Sequence, residues 1–311
     1  MVTDPSMFFK HAFVTGATGI VGVPLCIKLK QTGARVTAFS RGSKKIGQVP
    51  GINQVFGDIV DTRLLEDVVG DADVIFHAAA AVHGSVSTFQ EFERVNVAGT
   101  ENVIRAARKA SARLVHVSSV NVQGFQGGCL RDSYAATKSR AEELVLRATE
   151  DGLDAVVVRP ATVFGSEPGN AGLLIDRLLS ESLKVLPAPS RKISPVWSED
   201  LAQALIKAAE SGKLGRIYTI AGPTITSREF VLSVAESAGL SIPRITIPTG
   251  LIAMILQLAW RFRMITRWTP PVSVESLKAG SVHDGTHAAN ELGFSYTPIK
   301  NIFDNNEIYV S

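Results

Sequence analysis

A phenol and an ammonium stand four residues apart in the run Tyr134-Ala135-Ala136-Thr137-Lys138. At that separation two side chains share one face of a helix, one turn apart. A nearby cation favours phenolate over phenol, and each unit of lowered pKa corresponds to about 1.4 kcal/mol. A tyrosine so biased can give or take a proton near neutral pH while a hydride moves elsewhere. Ser119 lies 15 residues before it, at the end of an apolar run. The spacing alone is common, so its meaning depends on the elements that position it.

A first apolar strand is followed at once by Thr15-Gly16-Ala17-Thr18-Gly19-Ile20-Val21-Gly22. Gly16 permits a tight turn, Gly19 lets backbone approach a pyrophosphate, and Gly22 lets the next helix pack against the strand. The helix N-terminus offers N–H groups and a favourable dipole to the phosphates. Between a first strand and a first helix, the spacing G-x-x-G-x-x-G marks dinucleotide binding. The end of the second strand then selects the cofactor. An acidic residue there would accept hydrogen bonds from a free ribose 2′-OH. The chain instead carries Ser40-Arg41-Gly42-Ser43-Lys44-Lys45. The Arg41 guanidinium would pair with a 2′-phosphate, Lys44 or Lys45 adding charge, so NADP(H) is expected ahead of NAD(H).

The wider chain reads as an α/β protein of Rossmann type, a doubly wound parallel sheet with a smaller, mainly helical C-terminal substrate lobe. Strands are expected at His11–Thr15, Arg35–Phe39, Gln54–Phe56, Val74–Ala78, Leu114–Ser118 and Ala155–Arg159. Amphipathic stretches at Ile20–Gln31, Arg63–Val69, Phe89–Lys109 and Ser133–Glu150 separate most of them, the alternation of a parallel sheet covered on both faces. Residues 1–165 form the expected NADP(H)-binding domain. Residues 196–222, with a helix at Glu199–Glu210 and a strand at Arg216–Ile220, return to it. The remainder of 166–311, where proline is frequent, forms the substrate lobe.

Composition narrows the partners. The 311 residues are 45% hydrophobic and 20% charged with a net charge of +3, which describes a globular protein and implies no nucleic acid. Cys26 and Cys129 are too few for a metal site and fit a reducing cytoplasm. His283 and His287 have the spacing of a zinc pair but no accompanying third ligand, so no metal is read. No secretory signal and no transmembrane segment are read.

With these motifs in hand, the chain resembles the extended short-chain dehydrogenase/reductase family, in the branch that includes NAD-dependent epimerases and dehydratases and 3-beta-hydroxysteroid dehydrogenases. The resemblance runs over nearly the whole length. It implies cofactor contacts from Gly16, Thr18, Gly19, Ile20 and Gly22. It also implies contacts from Asp58 and Ile59 to the adenine and from Ala78, Ala79 and Ala80 after the fourth strand. Ser118, Pro160, Ala161 and Val163 would lie beside the nicotinamide. Tyr134 would be the acid for a carbonyl and the base for an alcohol, and Ser119 would hydrogen-bond the reacting oxygen. Lys138 would hold the nicotinamide ribose, and Asn96 would support the site. The segment Ala288–Phe294 is similar to the family's closing helix. Val120 and Asn121 stand where dehydratases carry an acidic pair, which argues against dehydration.

The favoured function is an NADP(H)-dependent reductase interconverting a ketone and a secondary alcohol on a largely apolar small molecule. Two alternatives stand beside it: an NAD-dependent sugar-nucleotide epimerase, and a subunit that binds dinucleotide without turnover. Ser119, Val120, Trp197 and Arg191 are read as substrate-facing. The apolar run Leu251–Trp260, followed by Arg261, Arg263, Arg267 and Trp268, fits three readings: a buried helix, a pocket wall, or peripheral membrane contact through 251–268. Family relatives are often dimers, so a homodimer is the assembly the resemblance suggests.

Overall fold

The computed structural model describes residues 8–42, 50–82, 88–124, 133–165, 173–237, 239–255, 258 and 281–304. Short runs rich in Val, Ile, Phe and Ala form a seven-stranded parallel sheet. Its members are β1 (His11–Thr15), β2 (Arg35–Ser40), β3 (Ile52–Phe56), β4 (Val74–His77), β5 (Arg113–Val117), β6 (Ala155–Pro160) and β7 (Ile217–Ile220). The spatial order is β7-β6-β5-β4-β1-β2-β3. The chain therefore leaves β1 in one direction and returns to β4 on its other side. At that reversal the crevice beyond the carboxyl ends of β1 and β4 is where open α/β sheets hold ligands. Phe13, Phe76 and Leu114 are fully buried in the sheet, as parallel strands covered on both faces require.

The helices start where capping chemistry allows. The Asp61 side chain accepts from the Leu64 N–H to open α2 (Thr62–Val69), after α1 (Gly22–Gln31). Thr88 and Glu91 form a reciprocal capping box at α3 (Phe89–Phe92). The stretch expected as one helix from Phe89 to Lys109 is interrupted. After α3 comes a π-helical turn, Glu93–Ala98, and only then α4 (Gly99–Ala110). The longest helix among the described residues, α5 (Ser133–Glu150), has the limits its sequence suggests.

The chain divides into two compact units. The first comprises the described residues of Met1–Pro160, Ser198–Ile220 and Gly285–Ser295. Its first segment ends at Pro160 rather than at 165, and it also reclaims the closing helix. That helix, Thr286–Leu292, buries Ala288, Ala289 and Leu292 against β7 and the helix Ser198–Ser211, and Tyr218 of β7 donates to Glu291 at 3.1 Å.

The second unit packs Phe164, Ile175, Leu186, Trp197, Phe230 and Val234 into its own core. Besides the helices Leu173–Leu179, Ser227–Ser237 and Ile299–Asp304, its described residues form three two-stranded pairs that the sequence did not signal. Val163–Phe164 pairs with Val196–Trp197, Lys192–Ile193 with Ile225–Thr226, and Val185–Pro187 with Ile245–Ile247. No described helix is long and apolar enough to cross a membrane. Of the 251–268 stretch, residues 256–257 and 259–268 lie outside the described residues; Leu251, Met254, Ile255 and Leu258 are exposed.

Candidate active site

The glycine loop runs from β1 to α1 and packs against the turn that follows β4. Gly16 has φ +68°, and a Cβ on it would meet the Ala79 N at 2.6 Å. A Cβ on Gly22 would overlap the Gly16 carbonyl. The protein's own packing thus dictates both glycines. Gly19 differs: its nearest neighbour would be the Gly16 oxygen, at 3.3 Å, and no other atom comes close. Its bare face is unclaimed by the fold, which fits a loop that a phosphate approaches. Thr18, Gly19 and Ile20 are half-exposed around buried Ala17, and no side chain caps the first turn of α1.

Ser40 is buried at the end of β2, its carbonyl accepting from the Gly57 N–H at 2.9 Å. Arg41 is exposed and has no ion-pair partner among the described residues, whereas Lys44 lies outside them. The Asp58 carboxylate meets the Arg94 guanidinium at 3.2 Å and accepts from the Val60 N–H at 3.3 Å. Ile59 is buried and fills the space a side chain at Gly99 would need. Ala78, Ala79 and Ala80 are half-buried beyond β4, and the Ala79 N–H donates to Thr15 Oγ1 at 3.2 Å.

Ser119 leaves the end of β5 and is buried. Its Oγ accepts from the Asn121 N–H at 3.2 Å as the chain enters a 3-10 turn, Val120–Gly124, whose first residue is also buried. Tyr134 is the second residue of α5, half-buried, its ring packed against the core of the first unit. Lys138 follows one turn later, only 2% exposed, and its Nζ donates to the Val117 carbonyl at 2.6 Å. Burial pulls this ammonium from its ordinary 10.5 down to about 8, with the Glu142 carboxylate opposing the shift.

Asn96 sits in the π-helical turn, buried. Its side-chain amide donates to the Ala81 carbonyl (3.2 Å) and to Thr137 Oγ1 (3.0 Å), and its oxygen accepts from the Ala81 N–H (2.7 Å). Thr137 in turn donates to the Tyr134 carbonyl at 3.1 Å. Asn96 is thereby bonded to the first turn of α5.

Several residues around this set were not singled out from sequence. His77 bridges Thr15 Oγ1 (2.8 Å) and Thr100 Oγ1 (3.0 Å). Its ring lies 5.3 Å from that of His116. Burial, with Lys138 adding repulsion, pushes His77 down to about 3 and His116 well below the usual imidazole range. Both are neutral at physiological pH. Glu142, one turn beyond Lys138, accepts from Ser118 Oγ at 2.6 Å and from Arg159. Its i+4 spacing from Lys138 was the available signal.

Pro160 is buried as the last residue of β6, Ala161 is buried just after it, and Val163 is half-buried. Trp197 lies in the core of the second unit, 6% exposed, with its ring 5.3 Å from Phe164. Arg191 is half-buried in the same unit, its carbonyl accepting from the Ser227 N–H at 2.8 Å.

A doubly wound sheet with a glycine-rich first turn and a buried lysine one turn past a tyrosine defines the nicotinamide-dependent oxidoreductase class. Residues 12–221 match the NAD dependent epimerase/dehydratase family, and the chain belongs to that family. It is 32% identical over 248 residues, 74% of each chain, to the 4-hydroxy-2-methyl-3-oxo-4-farnesyl-3,4-dihydroquinoline-1-oxide ketoreductase of Stigmatella aurantiaca. It is 31% identical over 250 residues to the 2-alkyl-3-oxoalkanoate reductase of Stenotrophomonas maltophilia, covering 73% of this chain and 75% of the relative. Among solved structures, the crystal structure of gox2253 shares the fold with a TM-score of 0.81 at 23% identity, over 95% of this chain and 96% of that one.

Proposed function

We propose that the protein is an NADP(H)-dependent ketoreductase acting on a small molecule with a substantial apolar portion. The observation that carries the reading is the buried Lys138 ammonium one turn from Tyr134, beside the β5 end that presents Ser119. The bound dinucleotide would supply the hydride. Ser119 holds the carbonyl oxygen, Tyr134 delivers the proton to that oxygen, and Lys138 biases the phenol and holds the ribose. Asn96 fixes the first turn of α5. The glycine loop with Asp58, Ile59 and the 78–80 turn holds the nucleotide, and Pro160, Ala161 and Val163 flank the nicotinamide. Residues 1–160 with their returning segments form the cofactor domain, and the second unit supplies the substrate lobe. The names of the two relatives support the substrate class: each carries a 3-oxo group and an apolar chain, farnesyl or alkyl.

Ketone and alcohol panels with NADPH, NADH and their oxidised forms test the reading. It predicts NADPH-dependent ketone reduction, faster with ketones bearing long apolar chains. Tightly retained NAD with no net turnover would instead support the epimerase alternative. Arg41→Ala should weaken NADPH binding tenfold or more, about the worth of one charge-assisted hydrogen bond, while NADH binding stays nearly constant. An equal loss for both cofactors would remove the case for NADP(H).

Gly19→Ala offers a separate check on the loop. Because the added methyl would press on one backbone atom only, the Gly16 carbonyl oxygen at 3.3 Å, melting temperature should fall by no more than a few degrees while dinucleotide affinity falls roughly tenfold or more. A variant that binds dinucleotide as tightly as wild type would show that no phosphate approaches this turn.

A further inference from the structure

We propose that Glu142 is a positioning residue of the reaction, its carboxylate fastening the ends of β5 and β6 to the helix that carries Tyr134 and Lys138 and balancing the Lys138 charge. The inference rests on the oxidoreductase reading above.

Tyr134, Lys138 and Glu142 are successive i, i+4 positions and form one row along α5. The Glu142 side chain is 6% exposed, where an unpaired carboxylate would be costly. It is not unpaired. Arg159 Nε donates to Oε2 at 2.9 Å while Nη2 reaches Oε1, a bidentate fork from β6. Ser118 Oγ donates to Oε2 at 2.6 Å from the end of β5. Each partner is one residue from a functional position: Ser118 precedes Ser119, and Arg159 precedes Pro160. One carboxylate thus joins three elements whose relative placement sets the distance between the Ser119 hydroxyl and the Tyr134 phenol. A bidentate ion pair fixes angle as well as distance. Misplacement of a reacting group by about 1 Å can cost on the order of 100-fold in rate.

The electrostatic part follows from the neighbours. His77 on β4 and His116 on β5 face Lys138 and are both neutral, so neither offsets its charge. Tyr134 shares its helix, and among the described residues Glu142 is the acid that acts on it. Glu142 itself is faced by Arg159 from β6, Ser118 from the β5 end and Lys138 from α5. Removing the carboxylate charge removes what opposes deprotonation of Lys138.

Glu142→Gln retains shape and hydrogen-bonding capacity but not charge. The expected result is a kcat at least tenfold lower, with the alkaline limb of the kcat/KM profile moved toward acid by about one pH unit. The double variant Glu142→Leu/Arg159→Met removes both charges, a replacement that buried pairs often tolerate without loss of stability. It should show the same acidward limb, which a merely structural clamp would leave in place. Wild-type kcat and an unmoved limb in either folded variant would overturn the inference. Tyr134→Phe, assayed in parallel, separates the two levels. If it retains turnover, the oxidoreductase reading falls; if it is inactive while the Glu142 variants match wild type, the Glu142 inference alone falls.

Discussion

Tyr134→Phe is expected to lower turnover by about 10³-fold while leaving dinucleotide binding within about twofold of wild type. The substitution removes one phenolic oxygen and keeps the ring, which packs against the core of the first unit. Folding should therefore be unaffected, and the loss should fall on kcat. Without the phenol, proton delivery to the carbonyl oxygen reverts to water, forfeiting the contribution of a positioned acid. Single-turnover oxidation of NADPH, together with a fluorescence titration of the bound cofactor, reads both quantities. Retention of more than about a tenth of wild-type turnover would show that another group supplies the proton.

Lys138→Met should do two opposite things. Turnover should fall by at least 100-fold, because the ribose loses its cation and the tyrosine loses its bias. Stability at pH 7 should rise. A lysine lowered from 10.5 to about 8 in the folded state carries a burial cost of about 3 kcal/mol when charged. The variant also loses the hydrogen bond to the Val117 carbonyl, worth about 1 kcal/mol, so the net gain is about 2 kcal/mol. Between pH 8 and 10.5 the unfolded chain holds a proton on this lysine that the folded one has released. Wild-type stability should therefore climb relative to the variant through that window, and the variant's advantage should vanish by its upper end. Urea unfolding at pH 7 and near pH 10.5 measures the difference at each end. A gap that stays constant with pH would mean that Lys138 is not the titrating group.

Much of the first unit was legible because its strands are continuous apolar runs, bounded by glycine or polar residues and separated by helical patterns. Helix α5 was legible to the residue. Phe89–Lys109 was not, because a π-turn widens one turn of a helix without erasing its apolar periodicity. The three short pairs of the second unit have strands of two or three residues, too short to show alternation. From sequence Trp197 is read as substrate-facing. Its burial depends on Phe164 and Phe230, 33 residues away on either side, and no local pattern announces that packing. The row of Tyr134 and Lys138 was visible from spacing, but the bonds that fasten it, from Glu142 to Ser118 and Arg159, arise only when β5, β6 and α5 meet.

The hydrogen bonds beneath the site also fix a tautomer. The Ala79 N–H donates to Thr15 Oγ1, and Thr100 Oγ1 donates to the Asn96 carbonyl at 2.6 Å. The Thr100 hydroxyl has spent its only proton, so it must accept from His77 Nε2–H. Nδ1 is then bare and takes the Thr15 proton. Every hydroxyl along this line points the same way, from β1 through β4 to the π-turn. The companion line, from the Asn96 amide through Thr137 to the Tyr134 carbonyl, is equally one-directional. Both lines terminate on backbone oxygens, which receive a proton but have none to pass on. Along these two lines the scaffold under Tyr134 is consequently an insulator for protons as well as a brace: it holds the first turn of α5 in place without offering the phenol a relay to β1 or the π-turn.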